Sequence, residues 1–293
     1  MSKNNKLQSN PSGDKSKKEE NNGKFHPKNK LNDLTGKEWI KFTKSWLLFN
    51  ALHSDLKEER NVLGDISKDH PATFSPTMVS EFIQFFTKKG QTVLDPFLGI
   101  GSTLVACDRT GRKGVGIELS PKYGEMAKKR TKQKVIIGDS RDIDKLKLPP
   151  IDYSITSPPY WNVLNRSTGS FEKNRKAKGL STKYSDAAKD IGNIDDYEAF
   201  LDTMFDIYKK IHKILKPGGY VTIIVKNIKQ NGNFYPLAWD LAKKLSTLYD
   251  LKDEKIWIQD KVRLAPYGYP YAWTSNIIHH YCLILRKPQE AKK

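Results

Sequence analysis

The residues best suited to chemistry form one tetrapeptide, Ser157-Pro158-Pro159-Tyr160, which follows the apolar run 151–155. Each proline lacks an amide hydrogen and fixes its own φ, so a strand cannot simply continue through this segment. The resulting turn leaves the Ser157 hydroxyl and the Pro158 carbonyl as hydrogen-bond acceptors beside the ring of Tyr160. This combination favours binding of a flat group whose exocyclic amine donates to both acceptors while its ring stacks on Tyr160. The alternative is a proline-rich strand exit with a surface tyrosine.

A second candidate segment, Asp-Pro-Phe-Leu-Gly-Ile-Gly-Ser-Thr at residues 95–103, ends one predicted strand and begins a helix. Glycines at such a turn let the backbone approach a ligand, and the helix N-terminus attracts anionic groups. The segment lacks the third glycine of a dinucleotide fingerprint and the Gly-Lys-Ser/Thr of a P-loop, so ATP hydrolysis is not supported. Glu118 ends the second predicted strand, where an acid can accept both ribose hydroxyls. Asp139 ends the third strand, where it can meet an adenine edge.

Strands and helices alternate from residue 92 onward, which predicts a parallel α/β sheet with right-handed crossovers. The predicted strands are 92–97, 114–119, 134–139, 153–157, 220–226, 255–258 and 277–286, and the predicted helices are 77–87, 102–110, 121–132, 195–215 and 236–248. Residues 35–50 are amphipathic at mostly helical spacings. In a doubly wound sheet, ligands bind outside the carboxyl ends of the strands, at the switch between the first and fourth. The glycine turn and the Ser-Pro-Pro-Tyr turn should therefore flank one crevice.

The composition favours a polyanionic partner, although lysine-rich proteomes also contain many basic proteins that bind no nucleic acid. The 293 residues include 51 Lys and Arg against 33 Asp and Glu, giving a net charge of +18, which favours nucleic acid. No apolar run approaches the roughly 20 residues of a membrane span. Two cysteines without metal-ligand spacing fit a reducing cytoplasm, and no metal is expected. Residues 1–33 and 289–293 read as tails around one domain at 34–288, the first of them disordered and basic.

The paired motifs resemble those of the DNA amino-methyltransferases, which transfer a methyl group from S-adenosylmethionine to N4 of cytosine or N6 of adenine. The resemblance implies a Rossmann-like class I methyltransferase fold: a mostly parallel seven-stranded sheet with an antiparallel last strand and helices on both faces. It implies that Ser157, Pro158, Pro159 and Tyr160 form the catalytic site. The implied cofactor-binding residues are His70, Phe74, Ser75, Asp95, Pro96, Phe97, Gly99, Gly101, Ser102, Thr103, Glu118, Leu119, Asp139 and Ser140.

The resemblance also orders the possible activities. Serine at the first catalytic position is more similar to the N4-cytosine group than to the N6-adenine group, so N4-cytosine is preferred and N6-adenine is the alternative. Carbon-5 methylation is disfavoured because it needs a Pro-Cys turn, and neither Cys107 nor Cys282 follows a proline. An RNA methyltransferase and a non-catalytic nucleic-acid-binding protein remain alternatives. The implied setting is a restriction–modification system in the cytoplasm, associated with the nucleoid, with a possible cognate endonuclease.

Two segments are candidates for binding double-stranded DNA with an extruded target base. The first is the basic stretch 161–193, which breaks the α/β alternation. Its phosphate- or guanine-binding candidates are Arg166, Lys173, Arg175, Lys176 and Lys178. The second is an aromatic segment at 266–273, where Tyr269 and Trp273 are candidates for wedging or stacking. A disordered excursion and ordinary packing are the respective alternatives. His279 and His280 should point to opposite faces of the last strand, one toward the core.

Overall fold

A computed structural model describes residues 26–49, 55, 74–161, 189–261 and 264–289 of the chain. The strands are β1 (Trp46–Leu48), β2 (Thr92–Asp95), β3 (Lys113–Glu118), β4 (Lys134–Ile137), β5 (Ile151–Thr156), β6 (Leu215–Val225), β7 (Ile228–Gln230), β8 (Asn233–Tyr235), β9 (Asp250–Ile258) and β10 (His279–Arg286). The α-helices are α1 (Gly36–Phe42), α2 (Pro76–Phe86), α3 (Ser102–Thr110), α4 (Pro121–Arg130), α5 (Tyr197–Ile214) and α6 (Leu237–Leu245).

Eight of these strands form one sheet in the order β1-β9-β10-β6-β5-β2-β3-β4. Strand β10 is antiparallel to both of its neighbours, and the other pairs are parallel. The carboxyl ends of β2, β3, β4, β5, β6 and β9 therefore lie at one edge, which we call the site edge. This arrangement confirms the expected mostly parallel sheet with an antiparallel last strand, and β1 adds an eighth strand.

Helices cover both faces of the sheet, as expected. On one face, α2 and α3 pack on β2, β5 and β9 through a cluster that includes Phe82, Phe86, Tyr153 and Trp257. On the other face, α5 and α6 cover β5, β6 and β10 through a cluster that includes Met204, Tyr208 and Ile223. Helix α5 forms as predicted because Asp196 caps its N-terminus and its apolar residues follow a helical period.

The N-terminal part of the described chain differs from the prediction in two respects. Residues 35–50 are not one amphipathic helix: α1 ends at Phe42, and Trp46–Leu48 form strand β1 because they pair with Ile256–Ile258 of β9. The body of the domain also begins before residue 34. Asn32 is fully buried and donates its side-chain amide to the carbonyl of Phe85, so the chain already packs on α2 at this residue. The rest of the predicted tail, residues 1–25, lies outside the described residues.

The region around β6 shows two further differences. Strand β6 begins at Leu215, directly after α5, whereas the predicted strand began at residue 220. The observed strand therefore includes the Lys-Pro-Gly-Gly segment at residues 216–219. A short hairpin, β7–β8, follows β6 and was not predicted. Its turn is formed by Asn231 and Gly232, which have φ values of 51° and 78° and so give the turn preferred by two-residue hairpins.

Candidate functional site

The glycine turn and the Ser-Pro-Pro-Tyr turn leave the site edge side by side. Strands β2 and β5 are parallel neighbours, with Val93 opposite Tyr153 and Leu94 opposite Ser154. Each turn begins directly after its strand. The predicted proximity of the two motifs is therefore present in the structure, and it follows from strand order.

A buried carboxylate joins the two turns. Asp95 has no exposed surface, and its oxygens accept hydrogen bonds from the hydroxyl of Thr103, the backbone N–H of Phe97 (3.0 Å) and the hydroxyl of Thr156 (2.6 Å). Burial raises the pKa of Asp95 to about 6, although these hydrogen bonds act to lower it. Asp95 thus lies beneath the turns and positions them, and its predicted contact with a cofactor stays a prediction.

The glycine turn ends in a helix N-terminus that has no side-chain cap. Gly99 and Gly101 have positive φ values of 55° and 91°, and Gly101 is the N-cap of α3. A Cβ at Gly101 would lie 2.9 Å from the Cβ of Ala127, so the turn packs closely on α4. The hydroxyl of Ser102 is buried and makes no hydrogen bond to the described residues. Such a helix N-terminus suits a ligand carboxylate, which would accept from the free backbone N–H groups and from Ser102.

Glu118 ends β3 and faces the same turn. One of its oxygens accepts from the backbone N–H of Gly99 at 2.7 Å, and the other accepts from that of Ser120 at 2.8 Å. Burial raises the pKa of Glu118 to about 7, and these two hydrogen bonds only partly oppose it. A carboxylate oxygen has more than one lone pair, so Glu118 can still accept from a pair of ligand hydroxyls. The adjacent Leu119 is partly buried.

This geometry predicts that cofactor affinity depends on pH through Glu118. Ligand hydroxyls favour the ionised carboxylate, so affinity should be full above the pKa near 7 and be lost as the pH falls below it. Calorimetric titration with S-adenosylmethionine should give about tenfold weaker binding at pH 6 than at pH 8. The Glu118→Gln variant should lack this dependence. An equal pH dependence in both proteins would show that another group is responsible.

The predicted adenosine-binding pair at the end of β4 is engaged with the protein itself. The Asp139 carboxylate forms an ion pair with Arg141 at 2.7 Å and accepts from the Arg141 backbone N–H. Burial acts to raise the pKa of Asp139, but the hydrogen bonds and charge of Arg141 outweigh it, so that the pKa is lowered. The hydroxyl of Ser140 donates to the carbonyl of Pro96 and so ties this segment to the glycine turn.

The second turn contains the two acceptors expected from the sequence, the hydroxyl of Ser157 and the carbonyl of Pro158. Ser157 is partly buried, and its hydroxyl lies 3.3 Å from that of Tyr160. Among the described residues, none donates to the carbonyl of Pro158. Donation of a ligand amine to both oxygens stays a prediction. Pro159 is partly exposed and completes the turn.

Tyr160 is less accessible than the sequence suggested. Only 8% of its surface is exposed, and it belongs to the core cluster covered by α5 and α6. The ammonium of Lys226 lies over its ring, 6.0 Å from the centroid, and the ring of His280 is 6.3 Å away. The alternative of a surface tyrosine is thus wrong, because the C-terminal ends of β5 and β6 and the start of β10 converge around this ring. A base that stacks on Tyr160 must first displace a neighbour such as Lys226.

Of the three residues predicted to bind the cofactor before β2, the structure describes Phe74 and Ser75. His70 lies outside the described residues. Phe74 packs against the cluster under α2, and Ser75 caps α2 by accepting from the backbone N–H of Met78 at 3.3 Å while donating to Asp55. His280 is buried and His279 is partly buried, as expected for opposite faces of β10.

The candidate DNA-binding residues divide into two groups. The basic candidates lie outside the described residues: Arg166, Lys173, Arg175, Lys176 and Lys178. The aromatic candidates are described and strongly exposed, with 81% of Tyr269 and 89% of Trp273 accessible. Tyr271 between them is 95% exposed. This aromatic loop, residues 266–273, follows β9 and precedes β10, so it emerges at the site edge.

Sequence reasoning assigned no role to two residues of the site, Thr156 and Lys226. Thr156 is the last residue of β5 and links the Ser-Pro-Pro-Tyr turn to Asp95, while Lys226 follows β6 and contacts Tyr160. The available signal was their position, since each stands at the carboxyl end of a strand that borders the switch point. In the described part of the chain, no helix is long and apolar enough to span a membrane, and no group of three His, Cys, Asp or Glu side chains could bind a metal.

The sheet order and the glycine turn after β2 define a Rossmann-like class I methyltransferase, the class that uses S-adenosylmethionine. The profile of the DNA methylase family matches residues 2–129 and 151–293, so the chain belongs to that family. The described site fits this cofactor in two ways. The open N-terminus of α3 with Ser102 suits its carboxylate, and Glu118 suits its ribose hydroxyls.

Individual relatives match parts of the chain. It is 29% identical over 136 residues to the orphan methyltransferase M.BamHII of Bacillus amyloliquefaciens, covering 44% of this chain and 51% of that one. It is 36% identical over 88 residues to the type II methyltransferase M.BglI of Bacillus subtilis, covering 30% and 24%. The crystal structure of TrmN from Thermus thermophilus is similar with a TM-score of 0.48 and 14% identity, covering 74% and 50%. The chain thus spans about half or less of the length of these relatives.

Proposed function

We propose that the protein transfers a methyl group from S-adenosylmethionine to the exocyclic N4 of cytosine in DNA. The observation that carries the proposal is the pair of turns joined by the Thr156–Asp95 hydrogen bond. One turn has the features of a cofactor site, and the other has two acceptors for an amine and an aromatic ring. Membership of the DNA methylase family supports DNA as the substrate.

In this proposal the Ser-Pro-Pro-Tyr turn at residues 157–160, which we call the catalytic turn, positions the substrate amine. The cofactor supplies an electrophilic methyl group when bound. An aromatic amine is a poor nucleophile because its lone pair is delocalised into the ring. Hydrogen bonds from the amine to Ser157 Oγ and Pro158 O favour a pyramidal nitrogen with a localised lone pair. This is catalysis by orientation and electrostatics, and it requires no covalent enzyme intermediate.

The runner-up substrate is the N6 amine of adenine, which offers the same flat ring and exocyclic amine. The matching family is named for both N6 and N4 modification. Serine at position 157 supports cytosine through the resemblance described above. Methylation of carbon 5 has no support, because both cysteines of the chain are buried in the core and burial raises the pKa of each, that of Cys282 to about 12.

The biological setting is also part of the proposal. Relatives such as M.BglI carry the name of type II methyltransferases, which supports a role in restriction–modification with a possible cognate endonuclease, whereas M.BamHII is named an orphan. Action on DNA places the protein at the nucleoid in the cytoplasm. RNA methylation and non-catalytic binding are the remaining alternatives.

The assay that separates these activities uses tritiated cofactor. The protein is incubated with plasmid DNA or with RNA, and the nucleic acid is digested to nucleosides. Label in N4-methylcytosine is the expected result. Label in N6-methyladenine would identify adenine as the target base. Label only in RNA would contradict DNA as the substrate, and absence of label would favour a non-catalytic binding protein.

We further propose that the aromatic loop contacts DNA bases next to the target. Its base is closed by Asn276, whose side chain exchanges hydrogen bonds with the backbone N–H and C=O of Ala265 at 2.9 and 2.8 Å. Lys229 of β7 donates to Thr274 and to Ser275, which braces the loop against the β7–β8 hairpin. The loop is therefore anchored while its tip remains open to solvent. Exposed rings on an anchored loop at the site edge suit stacking on unpaired bases.

Removal of these rings should weaken DNA binding selectively. The double variant Tyr271→Ala, Trp273→Ala should bind duplex DNA at least tenfold more weakly, since base–aromatic stacking contributes about 1–3 kcal/mol per base. Cofactor affinity should be unchanged. Fluorescence anisotropy with a labelled duplex measures the change, and Leu251→Ala, an exposed apolar residue at the opposite edge of the sheet, is the control. Equal DNA affinities of the wild type, the double variant and Leu251→Ala would show that the loop does not contribute to DNA binding.

A further inference from the structure

Lys226 stands at the site edge, beside the catalytic turn. It is the first residue after β6, which is the parallel neighbour of β5, with Thr156 paired to Ile223. Three residues beyond that pair, the Lys226 ammonium lies over the ring of Tyr160 at 6.0 Å. The lysine is thus next to the position that a substrate ring would take.

The ammonium of Lys226 lacks an anionic partner. In the part of the chain that the structure describes, it forms neither an ion pair nor a hydrogen bond. It is partly buried, and desolvation lowers its pKa. The titratable groups that face it are His279 and His280, whose pKa values are lowered by burial and then by the charge of Lys226. Neither histidine can supply negative charge.

Two other lysines that are at least partly buried have polar partners in this structure. Lys210 contacts Asp144 at 2.9 Å, and the buried Lys255 donates to the backbone carbonyls of Phe42 and Lys44. Removing an ammonium from water without a partner is costly, and a cation–π contact at 6.0 Å recovers only a small part of that cost. A partly desolvated cation beside the Ser-Pro-Pro-Tyr turn is therefore best explained by an anion that arrives with the substrate.

We propose that Lys226 binds a backbone phosphate that flanks the target nucleotide when its base enters the site. The inference rests on the proposed function, because DNA is what brings the phosphate. The carboxylate of the cofactor is a less suitable anion, since the N-terminus of α3 with Ser102 already provides its site beyond β2. The lysine stem is long and flexible, so the ammonium can leave the face of Tyr160 for the phosphate and free the ring for the base.

The test removes the charge on each side of the contact separately. The target site is first mapped by sequencing DNA that the protein has methylated. Duplexes are then made with a neutral methylphosphonate in place of the phosphate 5′ or 3′ of the target nucleotide. Their affinities are measured by fluorescence anisotropy with S-adenosylhomocysteine present. The proteins compared are the wild type, Lys226→Met, Lys226→Arg and the control Lys252→Met, which removes an exposed lysine near the opposite edge.

For the unmodified duplex, Lys226→Met should bind about tenfold more weakly than the wild type, as expected for one charged hydrogen bond. Its plot of log affinity against log salt should be shallower by about one unit. One of the two methylphosphonates should lower the DNA affinity of the wild type, and that of Lys252→Met by a similar factor. The same methylphosphonate should leave the DNA affinity of Lys226→Met unchanged. Lys226→Arg should retain most of the affinity. The thermal stability of Lys226→Met should not be lower than that of the wild type, since an unpaired charge is removed.

Two results would overturn the inference. If each methylphosphonate lowers the DNA affinity of Lys226→Met by the same factor as that of the wild type, the lysine contacts neither phosphate. If Lys226→Met and Lys226→Arg bind DNA normally but lower kcat equally at saturating substrates, Lys226 acts on the proton released from the amine. Both results leave DNA methylation by the wild type intact. A wild type that methylates no DNA would instead overturn the proposed function, and the phosphate contact with it.

Discussion

The Ser157→Ala variant should lose at least about 100-fold in kcat while its cofactor affinity stays within about twofold of the wild type. In the proposed mechanism the hydroxyl is one of two acceptors that orient the amine, and loss of one such orienting group typically costs 100- to 1,000-fold in rate. The cofactor turn lies on the other side of the Thr156–Asp95 contact and should be undisturbed. Steady-state kinetics and calorimetry give the two quantities.

Two control variants define what that loss means. Tyr160→Phe removes the hydroxyl 3.3 Å from Ser157 but keeps the ring, so it should have a smaller effect on kcat. Ser246→Ala removes a hydroxyl at the end of α6, which donates to Lys243, and should behave as the wild type. Equal losses of kcat and cofactor affinity in Ser157→Ala would mean that the substitution distorts the whole site.

The Asp95→Ala variant should have the largest effect on folding. It leaves the Phe97 N–H and the hydroxyls of Thr103 and Thr156 unpaired in a fully buried position. Since one unpaired buried polar group costs about 1–3 kcal/mol, the free energy of unfolding should fall by about 3 kcal/mol or more. Urea denaturation measures this change. Cofactor binding should be lost as well, because both turns depend on the same carboxylate.

Asp95→Asn is the informative partner of that variant. Its amide oxygen can still accept hydrogen bonds, so a much smaller loss of stability is expected. Burial raises the pKa of Asp95 to about 6 from an ordinary value of about 3.9. The contribution of Asp95 to stability is therefore full below pH 4 and is lost as the pH rises through 6. Relative to Asp95→Asn, the wild type should lose stability between those values. An Asp95→Ala variant as stable as the wild type would show that Asp95 is not needed to position the two turns.

The sequence predicted those parts of the fold that local signals determine. Helix α3 occupies residues 102–110 as expected, because Gly101 and Gly111 supply the positive φ values at its two ends. The proline pair ends β5 at Thr156, one residue before its predicted end. The meeting of the two motifs was also predictable, because strand order in a doubly wound sheet follows from the α/β alternation.

Features that depend on distant partners could not be predicted in the same way. Trp46 and Leu47 look helical in sequence, but they form a strand because β9, about 200 residues later, offers a free edge. The burial of Tyr160 depends on β6 and β10 closing around it. Arg141 forms an ion pair with the carboxylate of Asp139, and the position of Asp139 after its strand does not predict this pairing. The β7–β8 hairpin is different, since its Asn231-Gly232 turn was a readable signal.

The central claim is that a bound cofactor and a target amine meet in one cleft between the two turns. The most direct measurement uses a cofactor analogue with an aziridine ring in place of the sulfonium group. Attack by the amine on a ring carbon breaks a C–N bond of the aziridine, so that the opened ring joins the analogue covalently to the amine. With a duplex that contains the mapped site, the account predicts one adduct on N4 of one cytosine, absent with Ser157→Ala and suppressed by excess S-adenosylmethionine. Binding of both ligands without formation of any adduct would contradict the account.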